Sequence, residues 1–303
     1  MKSQAIAQYD APHQFEPLMP SESAVGPLLE RASDLARAAN ALGAVSAQGA
    51  QQELRKLLRS MNSYYTNRME GEHTRPSDIE LALMKDFSSD ADLARKQRLA
   101  VAHIRTEEIC EATLTAKLAA EGDDTARWLY APDALCWLHA ELFKDLPAAD
   151  LQLSDGSAMV PGQLRQRGVA VGRHEAPTWA SLPLFLARWQ EVYGRTRRGE
   201  ASIVALAAAH HRLAWMHPFL DGNGRLGRLL ITLLLCDGKV LREPLLYLSL
   251  HFKTHRQAYY DLLNRVRADG DWEAWLDFFA EAIITTAKQA LDTAQRLDNL
   301  SRE

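Results

Sequence analysis

Apolar residues recur at three- and four-residue intervals through most of the chain, the spacing of helices that bury one face. Residues 24–40 set Leu28, Leu29, Ala32, Leu35 and Ala36 on one side. Residues 51–70 carry the stripe Leu54, Leu57, Leu58, Met61, Tyr64 and Tyr65. The same period predicts helices over 76–87, 90–120, 125–144, 181–197, 201–216, 224–238, 253–268 and 271–298. The abundant Ala, Leu and Arg favour helix as well, so the pattern predicts an all-α bundle.

Two stretches depart from it, and the tail raises a separate question. Residues 1–23, rich in Pro and polar side chains, are expected to lie extended over the surface. Residues 156–177 hold the helix breakers Gly156, Pro161, Gly162, Gly168, Gly172 and Pro177. There Val169 and Val171 flank Ala170 with the period of a strand, which fits a β-hairpin or extended flap and equally a plain surface loop. The tail, residues 286–303, keeps Leu291, Ala294, Leu297 and Leu300 at helical spacing. That face either docks on the chain's own core or wants a partner surface.

Composition narrows the class only slightly. With 47% apolar and 24% charged residues the chain can form a core and is not disordered. A net charge of −4 gives no support to a polybasic membrane anchor or nucleic-acid scaffold. Cys110, Cys136 and Cys236 are far apart and odd in number, without metal spacing, so the expected compartment is the reducing cytoplasm. Asp10 comes early with no apolar run before it, so no signal peptide is expected. The longest nearly apolar run, Leu229–Cys236, is broken by Thr232 and is too short to cross a bilayer.

Candidate chemistry is concentrated in His217-Pro218-Phe219-Leu220-Asp221-Gly222-Asn223-Gly224-Arg225-Leu226-Gly227-Arg228. Two apolar helices flank it. Ile203, Leu206, His210 and Leu213 share the face that ends at His217, and Leu229, Leu230, Leu233 and Leu234 continue on the other side. Gly222 and Gly224 let a ligand approach the backbone, and their amides with that of Asn223 open a helix, a natural anion site. Arg225 and Arg228, three apart, suit phosphate by their planar forks. Asp221 beside them makes sense as a Mg²⁺ ligand, since that ion takes one or two carboxylates plus phosphate oxygens. His217 can accept a proton near neutral pH. Singly, each of these reads as a structural His, a turn or a solvated face. Together within one loop they are the equipment for transfer at a phosphorus centre.

The segment matches the Fic-family signature H-P-F-x-(D/E)-G-N-G-R-x-x-R at every fixed position. Pro161-Gly162, Arg165 and Val169-Ala170-Val171-Gly172 resemble the family's flap. Tyr247-Leu248-Ser249, Arg256, Tyr259-Tyr260, Gly270-Asp271-Trp272 and Trp275 resemble the helices after the motif. The resemblance covers roughly residues 50–285 and implies a Fic-type helical bundle with a short β-hairpin flap. It implies a protein adenylyltransferase that moves AMP from ATP to a Ser, Thr or Tyr hydroxyl of a target protein and releases pyrophosphate. In that reading His217 is the base and Asp221 the Mg²⁺ ligand. Gly222, Asn223, Gly224, Arg225, Leu226, Gly227 and Arg228 form the ATP-binding segment, and Phe219 anchors the loop. A target segment would pair with the flap along Gly168–His174, chiefly at Val169, Ala170, Val171 and Gly172, by strand addition.

Thr66-Asn67-Arg68-Met69-Glu70-Gly71 resembles the family's inhibitory motif (S/T)-x-x-x-E-(G/N). Glu70 just before a helix C-cap at Gly71 opposes the helix dipole and wants a cation. The resemblance names Arg228, a pair that would occupy the γ-phosphate site. Thr66, one turn earlier, is placed to hydrogen-bond the Glu70 carboxylate, and Arg68 is read as solvated. The resulting division is an N-terminal extension over 1–75 with its inhibitory helix near 51–70, a catalytic core over 76–285, and a tail over 286–303.

Three other readings stand beside this one. The same site could remove AMP, with Glu70 positioning water, or transfer another phosphate-linked group. The chain could be a regulatory module linked to nucleic acid, which its acidic balance disfavours. A metal hydrolase could use His210, His211, His217 and Asp221, although their spacing fits no common zinc pattern and His210 reads as a core residue. Self-modification and homo-oligomer formation are left open, and no membrane or nucleic-acid partner is expected.

Overall fold

The computed structural model describes residues 9–21, 33, 48–121, 128–172, 174–195, 200–241, 244 and 246–302. The helix expected over 24–40 lies outside them apart from Ser33. Helix α1 (Gln48–Met69) is followed by α2 (Pro76–Leu83), α3 (Ala91–Glu121) and α4 (Pro132–Phe143). A two-stranded hairpin comes next, β1 (Ala170–Val171) and β2 (His174–Glu175). Then come α5 (Leu182–Tyr193), α6 (Glu200–Met216), α7 (Asn223–Asp237), α8 (Leu248–Thr254), α9 (Arg256–Asp269) and α10 (Trp272–Arg302).

The α6–α7 pair is the centre of the bundle. Apolar residues surround α6 on nearly every side, and Ile203–Ala209 are all buried. Such a helix needs neighbours all round. Two of them tie into its carbonyls. Trp189 of α5 donates its indole N–H to Ala209 O at 3.0 Å, and Trp275 of α10 donates to Ala207 O at 2.9 Å. Helix α1 packs on α3, α8 and α10, and also reaches α7. This contact with α7 brings the end of α1 to the Gly-rich loop.

Most predicted helices are present, and the differences have local causes. The helix expected over 76–87 stops at Leu83, where Lys85 turns left-handed (φ 67°) and Asp86 N–H bonds back to Leu81 O at 3.0 Å. The one expected over 125–144 is interrupted at Tyr130 and Ala131, after helical Trp128 and Leu129, and resumes at Pro132, because Pro holds Ala131 extended (ψ 143°). Residues 253–268 are split at His255, and α8 is too short at 7 residues for its period to register.

The N-terminal stretch does not lie extended on the surface over its described part. Residues Pro12–Phe15 form a 3₁₀ turn that buries Phe15, and Leu18 follows it into the core. The tail face docks on the core as far as Ala294, with Leu291 packed against it, and the side chains of Leu297 and Leu300 lie outside the described residues. Helix α10 runs unbroken past residue 286, and Ala287, Ala290 and Ala294 are buried in the core, with α10 against α1, α8, α9 and α6. The Gly-rich stretch is a hairpin, with Ala170 opposite Glu175 and Val171 opposite His174.

Candidate functional site

Helix α6 ends at Met216, and His217 takes a left-handed backbone (φ 47°), which a non-glycine residue holds only when its surroundings fix it. The loop then turns through Gly222 (φ 80°) into α7. No other residue fits there. The backbone is left-handed, and a Cβ would sit 2.5 Å from Phe143. Inside the loop Asn223 brackets Phe219: its Oδ1 accepts Phe219 N–H and its Nδ2 donates to Phe219 O, both at 2.9 Å. Phe219 is buried, as expected of an anchor, and stacks on His139 at 3.9 Å. His139 Nδ1 accepts Gly162 N–H at 2.8 Å, which leaves its Nε2–H to donate to Asp221 O at 3.1 Å. The first intrahelical bond of α7 is Leu226 N–H to Gly222 O at 2.9 Å. The amides before Leu226 therefore face out of the helix end, where an anion is favoured.

Glu70 occupies that end. Helix α1 closes with Glu72 N–H on Asn67 O at 2.9 Å and Gly71 N–H on Arg68 O at 3.3 Å. This closure aims the Glu70 side chain at α7. Its Oε1 lies 2.5 Å from Arg228 Nη2. It also lies so close to Gly224 that a Cβ there would be 2.2 Å away. Arg228 is the more buried partner, 3% exposed against 27%. Burial disfavours its charge, but Glu70 outweighs this and its pKa is raised. Thr66 does not meet Glu70 as expected. Its hydroxyl accepts from Arg228 Nε at 2.7 Å, and its carbonyl from Nη2 at 3.2 Å. Thr66 thus orients the cation rather than the carboxylate. Arg68 is not solvated either: it donates to Tyr64 Oη and its guanidinium lies 5.2 Å over the Tyr64 ring.

Arg225 is buried over Phe143 at 4.9 Å and pairs with Asp221 at 2.8 Å. Its Nε and Nη1 have no hydrogen-bond partner among the described residues. Burial pulls the Asp221 carboxyl up, but Arg225 and the Gly222 amide outweigh it and the group stays low. Half of the Asp221 side chain remains exposed, 47%. Such a group fits Mg²⁺, an ion that keeps waters and phosphate oxygens around one carboxylate. It does not fit zinc, because no cluster of three His, Cys, Asp or Glu exists among the described residues. His210 is engaged by Tyr259 Oη at 2.8 Å and Gly227 O at 3.3 Å, and His211 by Leu263 O at 3.0 Å. Leu226 points wholly into the core.

A cavity open to solvent is lined by several of these residues, though not by Asp221 or Arg225. Glu70, His217, Gly224 and Arg228 share it with Val171 of the hairpin. Burial, then Arg165, push the His217 pKa down to about 4 against the pull of Glu70 and Asp221. At neutral pH the ring is therefore uncharged and able to accept a proton. Nothing in the sequence singles out Trp215, Leu263 or Arg267, which line the rest of the cavity with Tyr259 and Tyr260. His139 carries a weak signal, a histidine in register with Leu135, Leu138 and Leu142 on the apolar face of α4.

The fold and loop define a helical domain built around a phosphate-type cradle. Residues 129–235 match the Fic/DOC family profile, and the chain carries a Fic/DOC-family domain. It is 35% identical over 122 residues to a protein adenylyltransferase Fic of Culex quinquefasciatus, covering 40% of this chain and 23% of that protein. A Drosophila grimshawi protein of the same name is 34% identical over 122 residues, with 40% and 24% covered. The match thus spans about a quarter of these relatives. A Fic family protein from Desulfovibrio desulfuricans G20 superposes over 92% of this chain and 77% of its own, with a TM-score of 0.68 at 19% identity. Fic-1 from C. elegans superposes over 90% and 74%, with a TM-score of 0.66 at 17% identity.

Proposed function

We propose that the chain is a protein adenylyltransferase that transfers AMP from ATP to a Ser, Thr or Tyr hydroxyl of a target protein, and that Glu70 holds it back. One observation carries this reading: a carboxylate sits on the N-terminus of α7, against Arg228, where a helix end and a buried guanidinium are arranged for an anion. In the working state the outer phosphates take that place, held by the α7 amides, Arg225 and Arg228. The nucleoside fits the aromatic side of the cavity, at Tyr259, Tyr260 and Trp215. The hydroxyl oxygen attacks the α-phosphorus, the bond to the bridging oxygen breaks, and pyrophosphate leaves. His217 takes the hydroxyl proton, a contribution of roughly 10²–10⁴ in rate. Asp221 would hold Mg²⁺, which neutralises phosphate charge when bound. The exposed hairpin edge at Ala170 and Val171 is where an extended target segment would pair.

In this reading residues 76–285 form the catalytic core, 1–75 carry the inhibitory element and 286–303 the tail. Self-modification is one outlet for the activity and homo-oligomer formation a separate proposal. The odd number and wide spacing of Cys110, Cys136 and Cys236 support a reducing, cytoplasmic setting. None of the helices among the described residues is long and apolar enough to cross a membrane. Glu70 and His217 share one cavity, which also supports AMP removal with Glu70 positioning water.

The test is AMP incorporation from labelled ATP by wild type, Glu70→Gly and His217→Ala. Labelling should rise in Glu70→Gly and vanish in His217→Ala. Equal labelling by wild type and Glu70→Gly removes the inhibitory assignment, and full labelling by His217→Ala removes the catalytic one. Incubating AMP-modified target with Mg²⁺ and no ATP reads the reverse reaction.

A further inference from the structure

Arg165 is 2% exposed and has no carboxylate partner among the described residues. A buried, unpaired guanidinium is costly unless all its donors are used. Here they are used on carbonyls. Nε donates to His217 O at 2.8 Å, Nη2 to Met216 O at 3.3 Å and Pro177 O at 2.5 Å, and Nη1 to Arg167 O at 2.9 Å. Its backbone N–H adds Pro218 O at 2.9 Å. Arg165 therefore holds three consecutive carbonyls, Met216, His217 and Pro218, at the point where α6 ends. Those carbonyls have lost their helical donors and carry the negative end of the dipole, so a cation suits them. The remaining bonds reach Arg167 and Pro177, the two stems of the hairpin.

We propose that Arg165 is the positioning residue of His217, fixing its left-handed backbone and adding its charge to burial in favouring the neutral ring. The proposal rests on His217 being the base of the transfer reaction. Three bonds from one residue to the carbonyls of Met216, His217 and Pro218 account for a backbone angle that His217 would not adopt alone. Burial is the first cause of the low His217 pKa, and the positive charge of Arg165, which forms no ion pair among the described residues, opposes a second positive charge on the ring and adds to it. The other groups facing the ring are Glu70 from the end of α1, Asp221 from its own loop and His174 from β2. Arg228 of α7 and Arg267 of α9 line the same cavity, with the phenols of Tyr259 and Tyr260. Of these only the two carboxylates favour a charged ring. Because the same guanidinium grips the hairpin stems, the base and the flap share one anchor.

Two variants of the full chain separate the two roles. Arg165→Lys keeps the charge but cannot span the carbonyls of His217, Arg167 and Pro177. Arg165→Gln loses the charge. The His217 ring is followed by NMR in histidine-labelled protein, assigned by the signal missing in His217→Ala. Turnover is measured in the Glu70→Gly chain. In wild type His217 should stay neutral down to pH 5.5. In Arg165→Gln it should gain its proton at higher pH, and in Arg165→Lys at the wild-type position. Both variants should lose about tenfold or more in kcat with little change in KM for ATP. An unchanged His217 titration in folded Arg165→Gln overturns the charge role. An unchanged kcat in Arg165→Lys overturns the positioning role, and it decides that role even if Arg165→Gln fails to fold. If Arg165→Gln fails to fold, a third folded variant, Arg165→Met, gives the titration instead. If no AMP is transferred by any variant, the transfer reading fails, while the titration still reports what Arg165 does to His217.

Discussion

Replacing Glu70 by Gly should make the protein less stable when empty and more responsive to ATP. The change leaves Arg228, 3% exposed, without its carboxylate. Breaking a buried pair from one side costs roughly 3–5 kcal/mol. Glu70 is 27% exposed and Arg228 keeps both bonds to Thr66, so the cost here is about 2–3 kcal/mol. At an unfolding entropy of about 2.1 cal/mol/K per residue, the 303-residue chain loses about 0.64 kcal/mol of stability per degree near its melting point. The melting temperature of empty Glu70→Gly should then fall by about 3–5 °C.

Added ATP reverses the order. Its outer phosphates must displace Glu70 in wild type but not in the variant, and the same 2–3 kcal/mol makes the wild-type Kd about 30- to 150-fold weaker. Melting scans with and without Mg²⁺ and ATP test both halves at once. At an ATP concentration 100 times the variant's Kd, the variant gains about 2.7 kcal/mol, near 4 °C, and wild type far less. Glu70→Gln, which keeps the shape without the charge, should fall between. Equal ATP-induced shifts in wild type and Glu70→Gly would show that the carboxylate and the nucleotide do not compete. A variant as stable as wild type would show that the pair contributes nothing to the fold.

Gly224→Ala should disturb wild type, because its Cβ would lie 2.2 Å from Glu70 Oε1, and should be better tolerated in Glu70→Gly. Melting curves of the single and double variants read that coupling. Asp221→Asn should raise the Mg²⁺ requirement for AMP incorporation by tenfold or more, and it should also lower ATP-free stability by about 2 kcal/mol, because it leaves Arg225, 5% exposed, without its carboxylate; a metal requirement equal to that of wild type would remove Asp221 as the ligand. Stability should drop in acid. Burial first holds His103 and His210 near 3 and His139 near 4 when folded, against about 6.5 unfolded. Their contribution is complete above about pH 6.5 and is lost as pH falls toward 4, by roughly 1 kcal/mol per group per pH unit. Urea midpoints between pH 7 and 5 test this, and a flat profile would contradict neutral burial of these rings.

The helices were legible because burial of one face leaves a 3.6-residue imprint, and α1, α3, α6, α7 and α10 are long enough to show it. Helix α8 is not, and the split at His255 depends on packing that no local pattern records. The chemistry of the loop was legible because Gly222, Gly224, Asp221 and the two arginines are adjacent in the chain. What surrounds them was not. His139, Arg165 and Tyr259 reach the loop from 82, 52 and 49 residues away in the bonds they make or support. Thr66 is the instructive error. Helical spacing correctly put it on the face of Glu70, yet its hydroxyl serves the arginine of another helix, because Arg228 has more donors to satisfy than one carboxylate can accept.

The proposed brake and the proposed substrate use the same physics. A helix N-terminus and two buried guanidiniums favour any compact anion, and a carboxylate supplied by the chain is the nearest one available. Its single charge is weaker than that of a triphosphate, so the pair is set to be displaced rather than permanent. The partial exposure of Glu70 keeps that exchange within a few kcal/mol, where changes in packing around α1 can tip it. That packing includes a bidentate bond from Arg95 of α3 to Glu72, at 2.6 and 2.9 Å, just beyond the turn that aims Glu70. Loosening the turn would weaken inhibition without touching a phosphate-binding residue. Arg95→Gln should therefore raise AMP incorporation in an otherwise wild-type chain and leave the Glu70→Gly chain unchanged. A rise of equal size in both would place the effect outside the brake.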